Sequence, residues 1–467
     1  MKPNILFLVI DSLRADRVFG KEKNQNTPNI DALIEKGAYF SNAITTCQYT
    51  GQVIQSIFTS KLPLIDRTAK KSHLKINSKI SPLSLLKNSG YKTITTTQED
   101  VFLQGFDQKF DDNDIFDSEE NLYNGLSERI LKKLNSINEP WFYYIHFEDL
   151  HLPCNVPENL HHLKLHERYE QNFSKIDSLI GEILKIVNLD ETLVIITSDH
   201  GDYISPIDGG RNELENTKVK IKNSFKKIIP KKTLEKIHLK KQSIIREIHA
   251  SRNNMPHLRR NIGSTRMTLS NNLFDDIVHV PLIFVGNKIN SLSPITTQIC
   301  NIDIFPTILE LVNIPFTELN IHGRSLVPLL KGKEFDSIPQ YITSLAAIPE
   351  LFLNIDVNIY DDHSLTPLVG IRTQNFKYFR NYLESKKNVH LYDLQNDPLE
   401  DDNICNKRPD LVKEMESYLQ NFNDLGYFST DKNDNDEEID NEEIDNEEID
   451  NEEIKRAKES LKKLGYI

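Results

Sequence analysis

The feature that most constrains the fold is an apolar run near the start of the chain that ends at an acid. Residues Ile5 to Ile10 (ILFLVI) show no alternation of polar and apolar side chains, and Asp11 follows them directly. An unbroken apolar run is typical of a strand that is buried on both faces, as in a parallel sheet covered by helices. Open sheets of this kind bind ligands at the carboxyl ends of their strands. The run therefore predicts an α/β fold with Asp11 at the ligand-binding edge.

The same run does not match a secretion signal. A signal peptide has an apolar region of roughly 7 to 15 residues and then a small-residue cleavage site, whereas this run is shorter and leads into acids and arginines. No apolar stretch approaches the roughly 20 residues of a membrane span. The four cysteines follow neither metal-ligand nor disulfide spacing. We therefore expect a reducing, cytoplasmic location.

Apolar runs alternate with helical stretches along most of the chain. The predicted strands are Ile5 to Ile10, Thr93 to Thr97, Trp141 to His146, Thr192 to Thr197 and Val280 to Val285. The predicted helices include Asn29 to Lys36, Ile80 to Asn88, Leu122 to Leu134, Tyr169 to Val187 and Ile304 to Leu311. This alternation indicates a mainly parallel sheet with helices on both faces. After about residue 340, short segments with Asn and Asp turns indicate a smaller antiparallel domain.

Charge is very unevenly distributed along the 467 residues, whose net charge is -13. Lys and Arg dominate residues 218–260, so we predict a basic helical insertion over 205–265 that either presents a solvated face or binds an anionic polymer or surface. A five-residue acidic repeat occupies most of residues 429–454 and predicts a flexible linker. A short amphipathic helix is predicted over 455–467. The overall acidity argues against nucleic acid as the main partner.

A second buried strand also ends in polar residues. Leu193 to Thr197 lead into Ser198, Asp199 and His200. If the two strand ends meet, Asp11, Asp199 and His200 form a mixed oxygen and nitrogen site for one divalent cation. Taken alone, the sequence Ser-Asp-His-Gly forms an ordinary turn after a strand about as often as it contributes to a metal site. Only its pairing with Asp11 favours the metal site.

Thr50 precedes a helical stretch, Gln52 to Thr59. A hydroxyl at a helix N-terminus has two uses. It caps the helix by accepting a backbone N–H bond, or, beside a metal, it acts as a nucleophile whose anionic adduct the helix terminus holds. Capping is the commoner role of a lone threonine, and the predicted metal ligands are what favour catalysis here.

Nine stretches, in order along the chain, resemble the sulfatase family of the alkaline phosphatase superfamily. They read PNILFLVIDSLRAD, TPNIDALIEKGAYFSNAIT, HFEDLHLP, SDHGD, DDIVHVPLIFVG, DIFPTILELVNIP, HGRSLVPLL, LYDLQNDPLED and LGYI. The resemblance spans the chain except the basic insertion and the acidic repeat. It implies an alkaline-phosphatase-like α/β/α sandwich as the catalytic domain over 1–340 and a C-terminal α+β subdomain with an antiparallel sheet over 341–428.

The resemblance also implies roles for individual residues. It places Asp11, Asp199 and His200 on one divalent cation and Thr50 in the nucleophile position, where its oxygen also contacts the metal. His151 matches the histidine that contacts the transferred group or the leaving oxygen. His200 favours zinc or manganese, while the family favours calcium.

Three departures from the family pattern stand out. Sulfatases carry Cys or Ser in a C/S-x-P/A-x-R stretch that is converted to formylglycine, but here the window reads Thr50-Gly51-Gln52-Val53-Ile54. Formylglycine cannot form on Thr50, and Cys47, which lacks the following Pro or Ala and Arg, is a minor alternative. Ser12 stands where many sulfatases have another metal-binding Asp.

The third departure concerns the cation that usually helps to bind the anion. The window from Arg266 to Asn271 contains neither the usual Lys nor a His. Arg266 is the nearest substitute for substrate binding and His279 another, though either also fits an ordinary surface position. His146, at the end of a predicted strand, is open to the same two interpretations.

Three functions remain open. The first is a metal-dependent hydrolase of sulfuric, phosphoric or phosphonic esters, small or glycan-like. A threonine ester cannot expel sulfate as a formylglycine hydrate does, so Thr50 favours phosphorus over sulfur. The second is a transferase that moves a phospho-substituent between alcohols, and the third is a binding relative that has lost catalysis.

Overall fold

The computed structural model describes four stretches of the chain. They are residues 2–63 (without 21, 22, 24 and 25), 81–204 (without 106–109, 118 and 119), 272–344 (without 288, 291–293 and 334) and 368–422 (without 383). The predicted basic insertion, the acidic repeat, the terminal helix and Arg266 lie outside the described residues. None of the described helices has the length and apolarity that a bilayer crossing requires.

A sheet of eight strands forms the centre of the larger part of the molecule. In chain order the strands are β1 (Asn4–Ile10), β2 (Ala38–Ile44), β3 (Lys92–Gln98), β4 (Asp112–Phe116), β5 (Trp141–Phe147), β6 (Thr192–Thr197), β7 (His279–Gly286) and β8 (Ile299–Cys300). Their order across the sheet is β4-β3-β5-β1-β6-β7-β2-β8. Only β7 runs antiparallel to its neighbours, so the prediction of a mainly parallel sheet is confirmed.

Helices cover both faces of this sheet. They are α1 (Ala15–Val18), α2 (Pro28–Lys36), α3 (Thr50–Thr59), α4 (Pro82–Asn88), α5 (Glu99–Gly105), α6 (Leu126–Leu134), α7 (Leu165–Ile186), α8 (Asp275–Val278), α9 (Ile304–Leu311) and α10 (Val327–Leu330). Helix α6 begins four residues later than predicted because Gly125, with a φ of 90°, breaks the segment in the left-handed region that glycine tolerates.

The central strand β1 is buried between two apolar cores. Ile5, Phe7 and Val9 pack in the core with α3, α4 and α9, while the alternate residues of β1 pack in the core with α2, α6 and α7. The two sets point to opposite faces because side chains alternate along a strand. Full burial of each large apolar side chain stabilises the fold by about 1.5–3 kcal/mol. This burial explains the unbroken apolar run in the sequence.

A second, antiparallel sheet follows in the chain. Its strands are β9 (Gln340–Ser344), β10 (Leu368–Arg372), β11 (Phe376–Asn381) and β12 (His390–Asp393), in the order β12-β11-β10-β9. Helix α11 (Pro409–Phe422) packs on it through Leu411, Met415 and Leu419. The two sheets meet where Thr343 N donates to the carbonyl oxygen of Thr46 at 2.9 Å, close to the start of α3. The predicted antiparallel C-terminal sheet is confirmed, while the domain boundaries stay predictions.

Candidate active site

Polar side chains collect at the edge where four parallel strands of the large sheet end. Asp11 follows β1, Asp199 and His200 follow β6, His146 lies near the end of β5, and Thr50 opens α3 after β2. The carboxyl ends of parallel strands share one edge of a sheet, which is where such folds bind their ligands. The topology therefore gathers residues that are far apart in the sequence.

Asp11, Asp199 and His200 form a compact group. Each offers one ligand atom, and the three atoms lie within 4.8 Å of one another. Asp11 is 2% exposed and the other two are fully buried. Thr50 Oγ1 lies 3.3 Å from Asp11 Oδ2 and 3.1 Å from His200 Nε2. The three predicted ligands and the predicted nucleophile thus lie together.

Within this group, the Nε2 atom of His200 and the Oδ2 atom of Asp199 face each other, and both are hydrogen-bond acceptors when the imidazole is neutral. The Nδ1–H of His200 donates to the carbonyl oxygen of Gly201 at 3.0 Å, which leaves the Nε2 of a neutral ring unprotonated. That Nε2 lies 3.2 Å from Asp199 Oδ2, a buried oxygen with no hydrogen-bond partner among the described residues. Two such atoms repel unless a cation or a proton lies between them. The donor set therefore fits a divalent cation, held by Asp11, Asp199 and His200.

The carboxyl group of Asp11 is held in its charged form. Burial raises the pKa of Asp11, but the nearby imidazole of His146, with smaller effects of His151 and His200, holds that pKa well below its usual range. The hydroxyl of Ser12 donates to Asp11 Oδ1 at 2.6 Å. Because a carboxylate binds a metal only when deprotonated, this environment prepares Asp11 as a ligand.

Helix α3 begins at Thr50 and has no side-chain cap. The first helical bond runs from Val53 N to the carbonyl oxygen of Tyr49 at 3.0 Å, and the N–H groups before it belong to the uncapped first turn. Such a terminus attracts anions. The capping alternative for Thr50 is therefore not realised, and the hydroxyl instead faces Asp11 and His200.

Cys47 lies close to Thr50 in sequence but has different surroundings. It is fully buried, and its Sγ lies 3.3 Å from Gln52 Oε1 and 3.7 Å from the carbonyl oxygen of Tyr49. These contacts give no support to Cys47 as the nucleophile.

His151 lies on a loop after β5. Hydrogen bonds from Asn172, a residue that the sequence analysis did not identify, hold this loop in place. The half-buried ring of His151 donates from Nδ1 to the carbonyl oxygen of Leu152 at 2.9 Å. On α7, the fully buried Asn172 donates to the carbonyl oxygens of Asp149 at 2.6 Å and Asn155 at 3.0 Å, one on each side of His151. The sequence contained one indication of this role for Asn172, namely that it is a polar residue on the otherwise apolar face of a helix.

Glu148 is a second unanticipated residue. Burial raises its pKa well above the usual range, and the nearby Asp11 and Asp100 raise it further. The side-chain amide of Gln98, at the end of β3, lies 2.9 Å from Glu148 Oε1. This side of the site is therefore rich in carboxyl groups.

His279 lies apart from the group of metal ligands. Its Nε2 lies 2.9 Å from the carbonyl oxygen of Ser41, and its Nδ1 lies 4.0 Å from Asp275 Oδ2. Burial lowers the pKa of His279, against the opposing effect of Asp275, so the ring tends to be neutral. These contacts give no support to the predicted substrate role of His279, which stays a prediction.

Comparison with known proteins identifies the family. The sulfatase family model matches residues 3–314, well over half of the chain. The model of the C-terminal region of N-sulphoglucosamine sulphohydrolase matches residues 270–424. The chain therefore belongs to the sulfatase family, as the resemblance of its motifs implied.

Relatives within the family are distant. An ulvan-active sulfatase of Formosa agariphila is 22% identical over 91% of this chain and 81% of its own length. Arylsulfatase K of Gallus gallus is 28% identical, but the match covers 32% of this chain and 26% of that protein. The chain thus spans about a quarter of the arylsulfatase K sequences that it matches.

Solved structures share the fold over nearly the whole chain. A protein solved with its substrate D-glucosamine-2-N,6-O-disulfate has a TM-score of 0.63 at 16% identity, covering 93% of this chain and all of that one. The phosphonate monoester hydrolase of Agrobacterium radiobacter has a TM-score of 0.60 at 14% identity, covering 91% of this chain and 95% of that one. These likenesses support the alkaline-phosphatase-like α/β/α fold.

Proposed function

We propose that this protein is a metal-dependent hydrolase of sulfuric, phosphoric or phosphonic esters with Thr50 as its nucleophile. The observation that carries the proposal is the position of Thr50 Oγ1, 3.1 Å from His200 Nε2 and 3.3 Å from Asp11 Oδ2. A hydroxyl beside metal ligands and at an uncapped helix terminus is placed for nucleophilic attack. The sulfatases and phosphonate hydrolase among its relatives support this class of ester.

A bound cation would lower the pKa of a neighbouring hydroxyl and polarise the ester. Thr50 Oγ would then form a bond to the central phosphorus or sulfur, its proton passing to solvent, while the bond to the alcohol oxygen breaks. The first N–H groups of α3 would stabilise the added negative charge. A protonated His151 would give its proton to the departing alcohol.

Release of the product favours phosphorus over sulfur. The ester on Thr50 has no second hydroxyl with which to expel the group, so water must attack the central atom. That attack breaks the bond to Thr50 Oγ, which regains a proton from the water. We therefore propose phosphoric or phosphonic esters as better substrates than sulfates.

The identity of the cation belongs to the same proposal. A histidine beside two carboxylates suits zinc or manganese, whereas the carboxylates alone would suit calcium. Metal analysis of the protein as purified, followed by reconstitution with each ion, distinguishes among calcium, manganese and zinc.

A cytoplasmic location also remains a proposal, supported by the spacing of the four cysteines, which does not follow a disulfide framework. The basic insertion is proposed to bind an anionic polymer or surface, or the acidic tail of the same chain. Deleting residues 434–453 tests the last idea, because unmasking the insertion should strengthen binding to an anionic resin at low salt. Unchanged binding would contradict masking by the tail.

The test of function is an assay of aryl phosphates, phosphonates and sulfates with added manganese, zinc, calcium or magnesium. Thr50→Ala should abolish turnover and Thr50→Ser should retain part of it, with Cys47→Ala as a control that stays active. Rapid quenching and peptide mass analysis should locate an adduct on Thr50. An adduct on Cys47, or a fully active Thr50→Ala, would overturn the assignment.

The same assay addresses the other two functions. Adding an acceptor alcohol distinguishes hydrolysis from transfer of the phospho-substituent. A metal-loaded protein that turns over none of these esters, with or without an acceptor, would favour a binding relative that has lost catalysis.

A further inference from the structure

We infer that His146 is a positioning residue that orients the carboxylate of Asp11 for the cation, and that Tyr144 in turn orients His146. The inference rests on the proposed metal-dependent function and adds two residues of β5 that the family resemblance did not assign. It requires that the ring of His146 act through Asp11 and not as a ligand itself.

The three side chains form a buried row. Tyr144 and His146 are fully buried and Asp11 is 2% exposed. The Tyr144 hydroxyl lies 2.7 Å from His146 Nδ1, and His146 Nε2 lies 3.6 Å from Asp11 Oδ2. Strands β1 and β5 are adjacent, and Asp11 N donates to the carbonyl oxygen of Phe147 at 2.9 Å. The backbone therefore holds the imidazole beside the carboxylate.

The contacts of the imidazole indicate where its proton lies. If the phenol donates to Nδ1, the proton of a neutral ring is on Nε2 and faces the negative oxygen of Asp11. The opposite tautomer would turn a lone pair toward that oxygen, which is repulsive. Nε2 is buried and has no hydrogen-bond partner among the described residues, and 3.6 Å is too long for a hydrogen bond. The attraction is therefore electrostatic.

A direct role of His146 as a ligand is less consistent with the geometry. The group of atoms that lie within 4.8 Å of one another contains Asp11, Asp199 and His200 but not His146. Both carboxylate oxygens of Asp11, in turn, face a neighbouring side chain. Ser12 Oγ donates to Oδ1 at 2.6 Å, and His146 faces Oδ2, the oxygen that is also nearest to Thr50. His146 thus fixes the direction of the oxygen that faces the nucleophile.

The test is the dissociation constant for Mn²⁺, measured by calorimetry on the full chain after chelation and dialysis. Loss of a partner that orients a ligand typically costs about 10- to 100-fold in metal affinity. We expect a loss of that size in His146→Ala, a smaller loss in Tyr144→Phe, and partial recovery in His146→Gln, which keeps an N–H donor. Tyr143→Phe is the matched control, because its buried hydroxyl, on the opposite face of β5, contacts Thr96 and should leave Mn²⁺ affinity unchanged.

Thermal unfolding of each metal-free variant separates this effect from simple destabilisation. Wild-type Mn²⁺ affinity in folded His146→Ala and Tyr144→Phe would overturn the inference. If His146→Ala does not fold, Tyr144→Phe decides, and wild-type affinity in that variant is sufficient to overturn it. Failure of the metal-loaded wild type to hydrolyse any ester would overturn the proposed function instead, and the Mn²⁺ titration would still test His146.

Discussion

Two buried groups of carboxylates in this molecule differ in how their charge is balanced. The first, which we call the ion network, joins Asp275 and Glu400 to Arg372 and Lys377. Arg372 binds Asp275 through two nitrogens, at 2.8 and 3.1 Å, and Lys377 Nζ lies 2.5 Å from Asp275 and 2.7 Å from Glu400. Two acids thus meet two bases across the junction between the sheets.

The active-site edge lacks this compensation. Among the described residues, neither Asp11 nor Asp199 pairs with a lysine or arginine, and the bases beside them are histidines. Buried charges persist only when they are paired or bind a metal. In the ion network, lysine and arginine side chains neutralise the carboxylates that join the two sheets. At the active-site edge the described residues provide no such side chain, and there we propose that a cation from solution takes its place.

The largest expected effect comes from removing a charge at the active-site edge. Asp11→Asn should lower ester turnover by more than about 100-fold, since even partners outside the ligand set cost about 10- to 100-fold in activity. It should also abolish the rise in melting temperature that a divalent cation gives the wild type by mass action. Wild-type turnover in the folded variant would show that Asp11 is not a ligand.

The corresponding substitution in the ion network, Asp275→Asn, should lower stability but leave the effect of the divalent cation unchanged. Asp275→Asn leaves Arg372 and Lys377 buried with one carboxylate fewer, so it should lower the free energy of unfolding by about 3 kcal/mol. The rise in melting temperature on adding a divalent cation should persist. Denaturant titrations with and without metal measure both quantities, and loss of the metal effect would contradict the separation between the two groups.

Acid should weaken the ion network in a defined window. Burial alone would raise the pKa of Asp275, but Arg372 and Lys377 hold it well below its usual range. A depressed pKa in the folded state gives stability that is present above about pH 4, the unfolded value, and is lost as the pH falls through the folded value. The stability difference between wild type and Asp275→Asn should therefore shrink below about pH 4. A difference that stays constant down to pH 2 would contradict this role.

The smallest effect is expected at an exposed pair in the connection between β11 and β12. Lys387 and Glu384 lie 2.7 Å apart, and both side chains are 46% exposed. Because solvent screens such pairs, Glu384→Gln should change the free energy of unfolding by no more than about 0.5 kcal/mol. A loss comparable to that of Asp275→Asn would show that burial does not explain the ion network.

The sequence predicted those features that depend on local pattern. The apolar run of β1 predicted a buried central strand, and the predicted bounds of β6 agree with the structure at both ends. The antiparallel direction of β7 was not predictable in this way, because a strand buried on both faces gives the same apolar run in either direction. Its neighbours in the sheet, not its own residues, determine the direction.

Residues whose roles depend on long-range packing were harder to predict from the sequence. Asp11 and Asp199 stand out because each lies within two residues of the end of a buried strand. Asn172, Lys377 and Glu400 resemble ordinary polar positions in the sequence, and only the fold shows that each is buried. His146 was noticed but its two interpretations could not be separated, since its relation to Asp11 depends on the pairing of β1 with β5.

The metal content of three purified proteins tests most directly whether Asp11, Asp199 and His200 bind a cation. Wild type, Asp199→Ala and Asp275→Asn would be loaded with Mn²⁺, separated from free metal by gel filtration and analysed by mass spectrometry of the metal, with circular dichroism to establish that each is folded. Metal binding at Asp11, Asp199 and His200 predicts about one equivalent in wild type and Asp275→Asn, and almost none in folded Asp199→Ala. A full equivalent of metal in folded Asp199→Ala would contradict metal binding at these three residues.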